Sequence, residues 1–323
     1  MANLTTSEDI INDALFRSAE PVDGTSDYDS QALTWLNRVY TSVYMGGGEL
    51  DEKINEDWSW LMTEATLAMP PVYSTGTVSV TKNSVTAFFS TSPTDIDGTD
   101  EAKQGWFLRI TGKPDVYKLS SHVVTATQMT LDSVYTETTN ATASFKLWKQ
   151  DYDLATDLLR LKAPMTEHRN KRPIYGMSAE VMENKWPQSS ISYGSPDRFT
   201  QLSETSVRFN TGGSDNSEII RIEYDYLKRP DALTDDAASI PVMPQQYRYV
   251  LSDFLRALIL EDKEDTRTAD AYLQARAGLR AMANENRARM AKYGNPGAIY
   301  PRQSQVRSSA HGPMRTETGL IIG

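Results

Sequence analysis

Pro70-Pro71-Val72-Tyr73-Ser74-Thr75-Gly76-Thr77-Val78-Ser79-Val80-Thr81-Lys82-Asn83-Ser84-Val85-Thr86-Ala87-Phe88-Phe89 (residues 70–89) decides how the chain is read. The two prolines stop any helix. After them, β-branched and aromatic residues alternate with polar ones on either side of Lys82-Asn83, which is the pattern of two short, half-buried strands joined by a turn. The texture then persists. Trp106 to Ile110, Val116 to Leu119, Val123 to Thr125, Met129 to Leu131 and Ser144 to Trp148 are further strand-like runs, separated by Gly, Pro, Asp and Asn. Regularly spaced short strands predict a small antiparallel sandwich or barrel over residues 72–150.

Upstream the apolar spacing is helical. Thr5 with Glu8 has capping-box spacing, and Ile10, Ile11, Ala14 and Leu15 follow on one face. Leu33, Leu36, Tyr40, Val43 and Tyr44 stripe a second helix ended by Gly46-Gly47-Gly48. Trp58, Leu61, Met62 and Ala65 predict a third before Pro70. Residues 1–71 are thus read as the first part of a helical domain.

Downstream, residues 151–293 read as its second part. Asp157 to Leu161 suggests a helical turn and Ser178 to Lys185 a short helix. Ser206 to Phe209 and Ile219 to Tyr226 suggest a hairpin turning at Gly212-Gly213. Pro241 and Pro244 introduce a helix with Tyr247, Val250, Leu251, Phe254, Leu255 and Leu258 facing inward. Another runs from Thr268 to about Lys292 with Tyr272, Leu279 and Met282 on its stripe. The fold class is α+β: a discontinuous helical bundle, an inserted antiparallel β domain and an extended C-terminal arm, residues 294–323. That arm is rich in Gly and Pro and cannot bury its own apolar residues. Tyr300, Arg302, Arg307, Arg315, Leu320, Ile321 and Ile322 are its candidate partner-binding residues.

Composition narrows the function. The 323 residues include 39% hydrophobic and 24% charged side chains, ordinary for a folded chain. There is no Cys, which excludes disulfides and thiolate metal sites. The opening lacks the basic start and apolar run of a leader, and no stretch is long enough to span a membrane. The net charge of −10 is uneven: residues 276–323 carry eight Lys/Arg and two acids, leaving a body near −16 and a C-terminal part near +6. An acidic body disfavours tight sequence-independent DNA binding. The basic end fits an acidic partner.

Motifs for chemistry are scarce. His122, His168 and His311 lie far apart in sequence, so a His-based metal or nucleophile site is not expected. Gly46 to Gly48 lacks the Lys-Ser/Thr of a phosphate loop. Asp95 to Asp100 crowds carboxylates without calcium-loop spacing, and reads as a polar connection. Asp51-Glu52 and Asp235-Asp236 are paired acids in a chain with 43 acids, and identify no acid/base couple. Tyr40, Tyr44, Trp58 and Trp60 could form a base-stacking platform only with interleaved cations, yet residues 1–70 hold Arg17, Arg38 and Lys53 against thirteen acids. Core packing is the better reading. No cofactor and no metal are expected.

Taken in order, Thr77 to Val80, Gly105 to Ile110, Val116 to Leu119, Thr130 to Tyr135 and Tyr152-Asp153-Leu154 form one series. Ile222-Glu223-Tyr224-Asp225-Tyr226-Leu227-Lys228-Arg229-Pro230-Asp231-Ala232-Leu233-Thr234-Asp235-Asp236, Ile240-Pro241 and a helix ending in Glu261-Asp262 form a second. The series resembles the head-to-tail adaptors, or connectors, of tailed bacteriophages, over approximately residues 30 to 290. It departs from them at Tyr152 to Ala155, where relatives often carry proline after the leucine, and in its long tail. The resemblance implies a structural virion protein, not an enzyme. Twelve copies would form a ring under a dodecameric portal, with a lumen for DNA and a next tail protein, nozzle or tube, below. It implies residence in the virion neck after assembly in the host cytoplasm, and an arm that binds a neighbour, the portal first. A nozzle or tube component, or a tail-associated carboxylate hydrolase, are the alternatives. A pocket with two convergent carboxylates would mark the hydrolase.

Overall fold

The computed structural model describes residues 4–22, 28–45, 57–91, 106–122, 127–187, 191–234 and 239–293. In chain order its elements are α1 (Ser7–Arg17), α2 (Asp29–Met45), a 3-10 turn (Ser59–Leu61), β1 (Met62–Met69), β2 (Val78–Val80), β3 (Thr86–Phe89), β4 (Trp106–Ile110), β5 (Val116–His122), β6 (Gln128–Leu131), β7 (Asn140–Ala143) and β8 (Phe145–Lys149). There follow β9 (Asp151–Asp153), β10 (Leu158–Glu167), β11 (Pro173–Gly176), α3 (Ala179–Lys185), β12 (Arg198–Ser203), β13 (Ser206–Phe209), β14 (Ile220–Lys228), α4 (Tyr249–Asp262) and α5 (Thr268–Tyr293). The chain divides into two units: Met62–Arg229 is one, and Met1–Leu61 with Pro230–Gly323 is the other.

The β unit holds two seven-stranded sheets. One has the order β7-β2-β3-β6-β5-β4-β8, built entirely from the predicted insert. Its strands place Val78, Val80, Phe89, Trp106, Leu108, Ile110, Leu119, Leu131, Phe145 and Leu147 in one buried cluster. Each fully buried large apolar side chain contributes roughly 1.5–3 kcal/mol, so this cluster is what holds short strands together. The two ends of the order, β7 and β8, are consecutive in the chain with only Ser144 between them, so the sheet curls toward a barrel.

The second sheet, β1-β14-β10-β11-β12-β13-β9, was expected only as a hairpin. β13 and β14 do not pair with each other. β13 lies between β12 and β9, whereas β14 lies between β1 and β10. Residues 151–229 therefore fold with the β unit and not with the helices. Asp157 to Leu161, expected as a helical turn, leads into β10 instead. Gly212-Gly213 is not a hairpin turn but a close approach: a Cβ on Gly212 would stand 2.7 Å from the Trp148 ring, and one on Gly213, at φ +88°, would stand 2.3 Å from the Pro70 carbonyl oxygen. β11 and β12 run parallel, with α3 in the crossover between them.

The third predicted helix is also corrected. Trp58, Leu61, Met62 and Ala65 have helical spacing, but Met62 to Met69 forms β1, in which Leu67 and Met69 are buried while Glu64, Thr66 and Ala68 are exposed. The period of two, together with all eight residues pairing against β14, overrides the local helical pattern.

In the helical unit, α1, α2 and α5 pack on α4. α4 is apolar nearly all round, with Val250, Leu251, Phe254, Leu255, Ala257, Ile259 and Leu260 buried. A helix with so broad an apolar surface must be surrounded. α1 begins in a capping box one residue later than expected: Asp9 N–H donates to the Thr6 hydroxyl, and the Asp9 carboxylate accepts from Thr6 N–H. The short helix expected at Ser178 to Lys185 is α3, with Ser178 at its N-cap.

Candidate interaction sites

The helical unit is closed by polar side chains that take hold of distant backbone. Arg248, only 8% exposed, donates to the carbonyl oxygens of Leu4, Thr5, Pro241 and Met243 at 2.5–3.3 Å. Burial lowers its pKa, and carbonyl dipoles satisfy the guanidinium fork in place of a carboxylate. Asn37 on α2 exchanges two bonds with Leu233, accepting from its N–H at 2.7 Å and donating to its carbonyl at 2.8 Å. Asn286 on α5, 1% exposed, donates to the Asp57 carbonyl and accepts from Ser59 N–H. Tyr40 accepts from Val242 N–H at 2.8 Å.

An ionic cluster joins α1 to α4. Arg17 lies 2.6 Å from the buried Asp253 and 3.3 Å from Asp13, which also accepts from Ser252. Burial pushes the Asp253 carboxyl above its ordinary value, against the pull of Arg17. Burial likewise opposes the charge on Arg17, but the hydrogen bond and charge of Asp253 outweigh it and raise its pKa.

In the β unit a second cluster bridges the two sheets. Arg208 on β13 holds Asp151 with two bonds, 2.6 and 2.9 Å, and Lys118 on β5 adds a third at 3.1 Å. Hydrogen bonding to Asp151 raises the Arg208 pKa. Both cations also stand over the Phe107 ring, which packs with Trp148 and Ile191. A groove elsewhere on this unit is lined by Glu167, Arg169, Ser195, Asn216, Glu218 and Arg221. Arg169 and Glu218 neutralise each other across 2.8 Å, so it is polar and of mixed sign.

The candidates from sequence fall as follows. Tyr300, Arg302, Arg307, Arg315, Leu320, Ile321 and Ile322 lie outside the described residues, as do Gly46 to Gly48, Asp51-Glu52, Asp95 to Asp100, Asp235-Asp236 and His311. His122 ends β5, and His168 sits on the surface paired with Glu223. Tyr40, Tyr44 and Trp58 are buried, with Trp58 donating to the Val43 carbonyl and stacking on Trp60 at 4.8 Å, so they are core and not an open stacking platform. Sequence reasoning passed over Arg248, Asn37 and Asn286. One cue was readable: an arginine at the N-cap position, immediately ahead of the apolar stripe of α4.

These features define a class: a chain of two units, each closed by fixed polar contacts between segments distant in sequence. The sequence profile of the SU10 adaptor protein family matches residues 123–300, more than half of the chain. The chain belongs to the SU10 adaptor protein family, a family of phage head-to-tail adaptors. No curated protein matches it. Among the described residues no helix is long and apolar enough to cross a membrane.

Proposed function

We propose that this chain forms a ring of twelve copies beneath the portal of a tailed phage, giving DNA a passage and the next tail protein, nozzle or tube, a platform. The family match over residues 123–300 carries the reading, because it takes in strands of both sheets together with α4 and α5. The acidic body supports it: a lumen wall that repels phosphate lets DNA slide. The work is structural and needs no catalytic residue. Host-cytoplasmic assembly and residence in the virion neck belong to the same reading.

Residues 294–323 act as an arm that docks on another chain of the neck. Tyr300, Leu320, Ile321 and Ile322 supply apolar anchors, and Arg302, Arg307 and Arg315 supply charge. Ordering such a segment costs conformational entropy that three or four anchors do not offset, so backbone hydrogen bonding and repetition around a ring complete the attachment. Cryo-electron microscopy of the neck tests the proposal. Twelve copies in direct contact with the portal are expected; a position further down the tail, or a single copy per particle, overturns it.

A further inference from the structure

β1 is an edge strand without the usual protections. It pairs with β14 over eight residues, from Met62↔Leu227 to Met69↔Ile220, with no register shift, and no strand among the described residues pairs with its other side. Natural edges are kept short, bulged, or guarded by Pro or Lys. The opposite edge of the same sheet, β9, is three residues long. β1 is long, unbulged and free of Pro, Lys and Arg. Half of the backbone N–H and C=O groups of such a strand point away from its only partner.

The edge also carries an unbalanced charge. Glu64 stands directly opposite Asp225, and Glu223 lies two residues further along β14. Like charges facing across a ladder are destabilising. Glu223 is neutralised by Lys171 and His168, and Lys162 of β10 stands opposite Asp225 on its inner side, whereas Glu64 lies on the outer strand, where no further strand among the described residues sets a cation against it. Pairing β1 with β1 of a second copy would double the acids without supplying a cation. The occupant that fits is an extended strand bearing arginine and β-forming residues.

Arg315-Thr316-Glu317-Thr318-Gly319-Leu320-Ile321-Ile322 is such a segment. Between α5 and Arg315 lie residues 294–314, which span about 70 Å when extended, enough to reach an adjoining subunit. We infer that Arg315 to Ile322 of each chain adds as a strand, parallel to β1, to the free edge of β1 in the next copy, with Arg315 set against the Glu64–Asp225 pair. The inference rests on the reading of residues 294–323 as a docking arm and names the receptor.

The absence of Cys makes cross-linking clean. With Arg315 opposite Glu64 and the added strand parallel to β1, residue 317 faces Thr66, so full-length Thr66→Cys chains are mixed with full-length, size-tagged Glu317→Cys chains and oxidised, and a mixed disulfide can only join two copies. The expected result is at least tenfold more mixed product than with Thr142→Cys, an exposed position on β7, and a comparable loss on adding Glu64→Arg that Arg315→Glu restores. Equal yields from Thr66 and Thr142, while deletion of residues 294–323 still abolishes attachment to portal-bearing heads, overturn the β1 receptor and leave the arm standing. Equal yields with no effect of the deletion overturn both.

Discussion

In the helical unit, many of the contacts that join distant parts of the chain run from side chain to backbone: Arg248 reaches Leu4 across 244 residues, Asn286 reaches Asp57 across 229 and Asn37 reaches Leu233 across 196. In the β unit the equivalent joins are ladder hydrogen bonds, as where β1 meets β14. Helices satisfy their own backbone and offer no edges, so a helical unit assembled from two ends of a chain needs other groups to fix its connecting segments. Strands offer backbone at every edge. The comparison teaches that losing one polar side chain is costly in the helical unit, whereas in the β unit apolar volume matters most.

Trp148→Ala sharpens the β side of this contrast. Trp148 is fully buried between the sheets, beneath Gly212, and donates to Gln150, which in turn donates to the Phe209 carbonyl. Removing it should destabilise the β unit by about 3–5 kcal/mol through cavity formation. Denaturant unfolding followed by hydrogen exchange should show the loss in residues 62–229, with α4 protected as before. An equal loss in α4 would break the division into two independently held units.

Arg248→Met tests the other side. It keeps most of the volume but leaves as many as four carbonyls without their donor, at a cost of about 3 kcal/mol in the helical unit. Arg248→Lys should recover little, because an ammonium cannot reproduce the planar fork. A loss under about 1 kcal/mol would show that water takes over the bonds. Asn286→Ala removes a pair of bonds and should cost about 2 kcal/mol, with exchange at Ser59 N–H accelerating first.

How much of this the sequence carried depends on range. Strands of the insert were legible because alternation is local: Trp106 to Ile110 is a strand wherever its sheet lies. α1, α2, α4 and α5 were legible for the same reason. The second sheet was not, since β9, three residues long, and β1 have meaning only beside β13 and β14, 53 to 165 residues away in the register pairs Asp153↔Ser206, Tyr152↔Val207 and Met62↔Leu227. Likewise Arg248 and Asn286 act on carbonyls that no local pattern brings near. The absence of clustered histidine was plain from the sequence, but which carboxylates sit against one another, such as Glu64 and Asp225, follows only from strand register.

Register also sets the smallest expected effect. Glu223 and Asp225 are two residues apart on β14 yet shift in opposite directions. Hydrogen bonds from Lys171 and then His168 hold the Glu223 carboxyl below its ordinary 4.5. A depressed acid stabilises the fold above its unfolded value, and that contribution is lost as pH falls through the folded one. Asp225 is raised above 3.8, by burial first and then by the charges of Glu64 and Glu223, so its ionised form is a cost fully present above the folded value and relieved on acidification. Glu223→Gln should therefore lower stability at pH 7 by at most about 0.5 kcal/mol, since the pair is exposed, with the difference from the parent vanishing below 4.5. Glu64→Gln should do the reverse: a small gain at neutral pH that fades in acid, because it removes one of the charges that makes ionised Asp225 costly. Thermal unfolding midpoints at several pH values between 3 and 8 measure both. A Glu223→Gln deficit that persists unchanged in acid would mean that Lys171 and His168 are held by something other than the carboxylate charge, and the two neighbours on β14 would no longer differ by their partners.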